Sequence, residues 1–323
     1  MAIHKRLVLN YINEYKEKLS KTALARLILE EHPDKYSSVE SIRAIIRFHT
    51  GAKGKVSSIN SLEWNVPKGE TQNYSDFVMP LSASNLLILP DMHFPFHNEK
   101  HIHKALEAGY NQGCNAIVMT GDQLDCHQIS DYDKNRDFKD MYQEVLIFLE
   151  FIDNLKKSWD VPIYFKMGNH EDRWDRLLKQ YPQLHLFDEF QLSTILKFGQ
   201  YGITEIKAKH EIRCGEFSLF HGHEFLGSGS DIPAKTMLMK TFRSGACGHF
   251  HRISQYKAHN GTKDIEFYSM GTLGELRPDF MPHQRATQTW DNGFGILQWD
   301  KKHFEFQNIK LKNKLHVKST YRT

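Results

Sequence analysis

Five short polar clusters hold the residues best suited to chemistry in this chain. They are Asp91-Met-His93, Gly121-Asp122-Gln-Leu-Asp125, Gly168-Asn169-His170-Glu171, His221-Gly-His223-Glu224 and Gly248-His249-Phe-His251. Aspartate and neutral histidine offer oxygen and nitrogen donors that suit divalent ions such as Mn²⁺, Fe²⁺ and Zn²⁺. A carboxylate has two oxygens and can join two ions. Two ions about 3.5–4 Å apart hold a hydroxide between them and stabilise both oxygens of an in-line displacement at phosphorus. Cysteine is missing from the five clusters, which argues against a structural zinc site. One such cluster alone is ordinary turn chemistry. Five in succession, each after a hydrophobic run, point to a shared site.

The runs before the clusters read as strands: Leu86–Leu89, Ala116–Met119, Ile163–Met167, Phe217–Phe220 and Ala246–Cys247. Further strands are expected at Ile265–Ser269 and Gly293–Trp299, with helices at Lys100–Gln112 and Asp140–Ser158. Strand–helix–strand succession implies parallel pairing and helices layered on sheet. Ligands in such sheets collect beyond the carboxyl ends of the strands, where these clusters fall.

The N-terminal part, residues 1–54, reads as three helices. Leu7, Val8, Tyr11, Ile12 and Tyr15 recur at helical spacing within Lys5–Lys18. Ser20 can cap Thr22–Glu31, and Ser37 with Glu40 has the spacing of a capping box for a third helix that stops at Gly51. The third helix presents Arg43 and Arg47, followed by Lys53 and Lys55, as a candidate DNA-binding surface of helix-turn-helix type. The other reading is a helical cap with solvated arginines. Residues 55–82 are rich in Ser, Asn, Gly and Pro and read as a linker; residues 83–323 form the main domain.

The composition, 40% hydrophobic and 25% charged, is that of a globular protein. No apolar run approaches the length of a membrane span. Residues 1–66 carry 11 Lys and Arg against 7 Asp and Glu, so the positive excess lies in the N-terminal fifth. Four scattered cysteines without a C-x-x-C pair, and a charged N-terminus without an apolar core, fit a reducing cytoplasm, in a bacterial or phage-infected cell.

In their order and composition, the five clusters resemble the blocks of the calcineurin-like metallophosphoesterases, over about residues 84–300. The resemblance implies a four-layer α/β/β/α sandwich, here with a small N-terminal all-α module. It implies two divalent ions, manganese first and iron, zinc or nickel as alternatives. Asp91, His93, Asp122 and His251 would bind one ion. Asp122 would bridge to a second, held also by Asn169, His221 and His249. His170 would sit over the phosphate as general acid or transition-state stabiliser, oriented by Asp125. "GNHEDR", the helical N-terminal region and "GFGIL" are similar to members carried by phages and mobile elements.

The chain departs from the protein-phosphatase branch of that family. Cys126-His127 stands where that branch has Arg-Gly, and Met167 stands where it has arginine. Arg173 could supply the missing phosphate clamp. His127, His223 and His97 are candidates for substrate contact, and Tyr132, Trp174 and Trp290 for stacking on a base. The expected activity is phosphodiester cleavage of nucleic acid or nucleotides. The alternatives are a phosphomonoesterase acting on protein or small molecules and, disfavoured by the complete ligand set, a non-enzymatic DNA-binding protein.

Overall fold

A computed structural model describes residues 2–15, 18–51, 69, 75–130, 140–225, 232–278 and 286–312. The chain divides into two compact units, residues 1–72 and 73–323.

The first unit contains α1 (Ala2–Tyr15), α2 (Lys21–Glu31) and α3 (Val39–Thr50). Val8, Ile12, Leu24, Ala25, Ile28, Ile42 and Ile46 form its core, so each helix turns its apolar stripe inward. Ser20 caps α2 as expected, its Oγ accepting from the Ala23 N–H at 3.2 Å. The cap of α3 falls one residue later than the spacing suggests. Ser38, not Ser37, accepts from the Ser41 N–H at 3.2 Å. Glu40 pairs instead with Arg43 (2.7 Å) and Arg47 (3.2 Å) on its own helix. Lys53 and Lys55 lie outside the described residues.

The second unit begins with β1 (Phe77–Val78), inside the stretch read as linker, paired parallel to Ile212–Arg213. Then follow β2 (Asn85–Leu89), α4 (Glu99–Asn111), β3 (Ala116–Met119), α5 (Met141–Ser158), β4 (Ile163–Lys166) and α6 (Glu171–Gln180). Three short helices, α7 (Pro182–His185), α8 (Leu192–Ile195) and α9 (Phe198–Tyr201), lead to β5 (Ile203–Ile206), β6 (Ile212–Cys214) and β7 (Phe217–Phe220). The last elements are α10 (Pro233–Thr241), β8 (Ser244–Cys247), β9 (Ser254–His259), β10 (Asp264–Ser269), β11 (Asn292–Trp299) and β12 (Phe304–Leu311).

Two six-stranded sheets result, ordered β1-β6-β7-β8-β10-β9 and β12-β11-β2-β3-β4-β5. Leu86, Ile88, Val118 and Leu297 of one sheet pack with Ile212, Phe217, Leu219 and Tyr268 of the other. The outer face of the second sheet packs through Leu87, Ile117 and Phe165 against Ile102 of α4 and Phe148 and Ile152 of α5. The outer face of the first packs through Phe220 and Phe267 against Met237 and Leu238 of α10. Alternate residues of one strand thus serve two cores, the requirement of a four-layer α/β/β/α sandwich. The parallel runs β2-β3-β4 and β7-β8 aim their carboxyl ends the same way within each sheet.

Lys166 ends β4 fully buried in a strand that reads as apolar. Its Nζ donates to the Ala208 and His210 carbonyls (2.8 and 2.7 Å) and lies 2.9 Å from Glu224 Oε1. Glu224 in turn accepts from the His221 N–H at 3.0 Å and the Gly222 N–H at 2.6 Å. This buried pair ties the turn after β7 to the second sheet.

Candidate metal centre

Three of the five polar clusters leave strand ends through unusual backbone. Asp91, His93, Asp122, Cys126, His249 and His251 have φ between 48° and 66°. Among the described residues only Lys197 and Phe242 share that conformation without being glycine. Each such residue costs about 1–3 kcal/mol and persists where surrounding contacts demand it. Close approach adds a second constraint. A Cβ on Gly168 would fall 2.2 Å from Asp122 Oδ1, and one on Gly248 would fall 2.1 Å from Asp91 Oδ2. Only glycine lets these turns touch the carboxylates.

The turns bring two ligand groups together: Asp91, His93 and His251, and Asp122, His221 and His249. In the first, His93 Nε2 lies 3.1 Å from His251 Nε2, which lies 3.4 Å from Asp91 Oδ1. In the second, His221 Nε2 lies 3.2 Å from Asp122 Oδ2 and 3.0 Å from Asn169 Oδ1. Two ligands about 2.1 Å from one ion and separated by tetrahedral or right angles stand about 3.0–3.4 Å apart. The spacing fits.

The donor chemistry fits as well. His221 Nδ1 sits 2.9 Å from the Thr120 carbonyl, which can only accept, so Nδ1 carries the hydrogen. Nε2 of the neutral ring then aims a lone pair at two oxygens. Only a cation or a proton makes that arrangement favourable. Without a metal the proton serves: burial opposes charge on His221, but the Asp122 carboxylate outweighs it and pushes the pKa up to about 10. Burial, followed by the field of His221, lowers His249 to about 3, and burial lowers His93. Both therefore stay in the neutral form that ligates metal.

A third group, His93, Asp125 and His170, is also tight. Its contacts are those of hydrogen bonding. His93 Nδ1 meets Asp125 Oδ1 at 3.1 Å, and His170 Nδ1 meets the Asp125 backbone carbonyl at 2.7 Å and Oδ1 at 3.4 Å. Nδ1 of each ring is a donor here and not a lone pair. Burial disfavours charge on His170, but Asp122 and Asp125 outweigh it and push its pKa up to about 9, against the opposing field of Arg173.

Arg173 donates from Nη1 to the Asp125 carbonyl at 2.9 Å, and its two Nη atoms lie 3.2 Å from the two ring nitrogens of His170. It lines a cavity of about 530 Å³ together with His93, Asp122, Asn169, His170, His249 and His251. His127 lines the same cavity. His223 does not: its ring stands 5.1 Å from that of His221, beside Glu224, and burial and His221 lower its pKa to about 4. His97 stacks on Phe94 at 4.1 Å. Trp174 donates its indole N–H to the Phe190 carbonyl, and Tyr132 lies outside the described residues.

Glu171 has a larger part than its place in the sequence suggests. It is buried, and its carboxylate accepts from the N–H groups of Asp122 (2.9 Å), Gln123 (2.6 Å), Leu124 (3.0 Å) and Gly168 (2.8 Å). One side chain thereby locks two of the five turns to each other. The signal for this was present: a glutamate in the first turn of α6, following a glycine-containing turn.

The sandwich and the paired ligand groups define a metallophosphoesterase. The family model described as calcineurin-like phosphoesterase matches residues 84–252, more than half of the chain, and the chain belongs to that family. It is a metal-dependent phosphoester hydrolase of a family that works with two divalent ions. The chain is 24% identical over 234 residues to the Gene 54 protein of Mycobacterium phage D29, covering 68% of this chain and 91% of that one. A dimetal phosphatase from Danio rerio matches with a TM-score of 0.38 at 10% identity, over 70% of this chain and 96% of that one. The nuclease MPE of Pseudomonas putida matches with a TM-score of 0.30 at 12% identity, over 69% and 87%.

Proposed function

We propose that the chain is a phosphodiesterase acting on nucleic acid or nucleotides, with manganese as the first choice of ion. The observation that carries this is the cavity onto which both ligand groups, His170 and Arg173 open. Arg173 is the one lysine or arginine among its described lining residues. A guanidinium can hold a phosphate through two parallel hydrogen bonds.

Asp91, His93 and His251 would hold one ion, and Asn169, His221 and His249 the other, with Asp122 between them. When bound, the ions supply an activated water and neutralise charge at phosphorus. The rest belongs to the protein. Arg173 has donors to spare beyond its bond to the Asp125 carbonyl and orients the phosphate. Asp125 holds the Nδ1 hydrogens of His93 and His170. His170 then carries its transferable proton on Nε2 and delivers it to the departing oxygen. Arg173, by opposing the rise in the His170 pKa, keeps that proton labile.

The helical unit is proposed to bind nucleic acid through Arg43 and Arg47. Both now engage Glu40, but that carboxylate is well exposed, and such surface pairs are worth about 0–1 kcal/mol. A phosphate can displace it. No described helix is long and apolar enough to cross a membrane, and the four free, buried thiols support a reducing cytoplasm as the location.

The test is purified, Mn²⁺-loaded protein on bis-p-nitrophenyl phosphate beside p-nitrophenyl phosphate. A kcat/KM at least tenfold higher on the diester is expected. A strong preference for the monoester overturns the reading in favour of a phosphatase.

A further inference from the structure

Part of the cavity lining is apolar and takes no part in the chemistry above. Phe96, Pro278 and Trp290 form this part, and Thr272, Gly274 and Glu275 line the same cavity. Both aromatic residues are tied to the ligand turns by backbone. The Phe96 N–H donates to the His93 carbonyl at 2.6 Å. The residue after Trp290, Asp291, donates its N–H to the His251 carbonyl at 2.7 Å. The Trp290 and His251 rings pack in a T-shape, centroids 4.3 Å apart at 80°. Two rings are therefore held at fixed distance from the first ligand group, each through the turn of one of its histidines.

We propose that this apolar part of the lining is a nucleobase slot, with Trp290 as the stacking residue. The inference rests on the phosphoesterase reading of the site and names the part of the substrate next to the phosphate. A phosphoester bound at the ligand groups must place its ester arm in the remaining volume. A cavity of about 530 Å³ has room for one nucleoside beside the ligand groups. In this proposal the substrate is a free nucleotide or an unpaired residue, with its base against Trp290 and Phe96. The Glu275 carboxylate accepts at one oxygen from Asn98 Nδ2 at 2.8 Å, which orients it. Its remaining acceptor capacity suits a base with an exocyclic N–H donor, such as adenine.

The test measures binding, with two ligands that differ only in the base. They are the non-hydrolysable 5′-phosphonate analogues of AMP and of ribose 5-phosphate, titrated calorimetrically into the Mn²⁺-loaded full chain. Base stacking on an aromatic side chain predicts a ratio of affinities of roughly 5- to 100-fold in favour of the adenosine ligand. Trp290→Leu, which keeps bulk and removes the ring, should bring the ratio close to one. Trp290→Phe should keep most of it and guards against a general loss of folding. Equal affinities in the unaltered protein, or an unchanged ratio in Trp290→Leu, overturn the slot. The ratio does not depend on which ester is cut, so a failed diester preference would remove that reading and leave this one standing.

Discussion

His170 shows how few contacts are needed to assign a role to one atom. Its Nδ1 hydrogen is held by the Asp125 carbonyl, which leaves Nε2 to work at the cavity. Its own backbone N–H donates to Asp122 Oδ1 at 2.9 Å, so the residue is positioned by the same carboxylate that lies between the two ligand groups. His170→Ala should lower kcat by roughly 10²–10⁴, the usual weight of a positioned proton donor, and leave the metal content unchanged. Activity and elemental analysis of the same preparation check this; a variant that has lost its metals would make His170 a ligand. At this scale much was legible. Asp91, His93, Asp122, Asn169, His221, His249 and His251 do converge, because residue type and the strand-end pattern together restrict where such side chains can go. Glu171 was not legible in full. Its four N–H partners come from residues 122 to 124 and 168, a closure that depends on how two turns fit each other.

The strands that carry these residues were readable where they are buried on both faces. β2, β3, β4, β7 and β8 are short and almost wholly buried, and most of their residues are apolar or small, as suits strands between two cores. The strands missed were edge strands or half-polar ones. β9, with sequence SQYKAH, alternates between partly buried and exposed residues at a sheet edge, and β6 has only three residues. The Lys166–Glu224 pair went unseen for a related reason: a lysine in a buried strand has meaning only once its acceptor is in place. Burial opposes ionisation of Glu224, but Lys166 outweighs it and lowers the pKa from 4.5 to about 2. A carboxylate depressed in the folded state stabilises above its unfolded pKa, and that contribution is lost as pH falls through the folded value. Glu224→Gln should therefore cost about 3–5 kcal/mol near neutral pH, the scale of breaking a buried pair. The difference from the unaltered protein should shrink as pH falls from 4.5 through 2, below which both side chains are neutral. Denaturant unfolding at several pH values reads this directly; a difference that does not change with pH would mean the pair is not ionised.

The whole molecule is two units with separate cores, Val8 to Ile46 in one and the two sheets with their helices in the other. Every residue assigned to the metal centre belongs to the second. A chain starting at Asn73 should hydrolyse bis-p-nitrophenyl phosphate with a kcat/KM within about threefold of the full chain, while binding to nucleic acid weakens. Loss of that hydrolysis would make the helical unit part of the catalytic body. The organisation into a basic helical part and an α/β part was readable from composition and periodicity. The pairing of β1 was not, because two residues of strand carry too little pattern to be seen. Groups from Asp91 to His251 meet in two clusters spaced to hold one ion each. Anomalous diffraction from crystals grown with manganese tests this. Two peaks are predicted, one among Asp91, His93 and His251 and one among Asn169, His221 and His249, with Asp122 touching both. Manganese absent from these positions, or bound only elsewhere on the surface, would contradict the account.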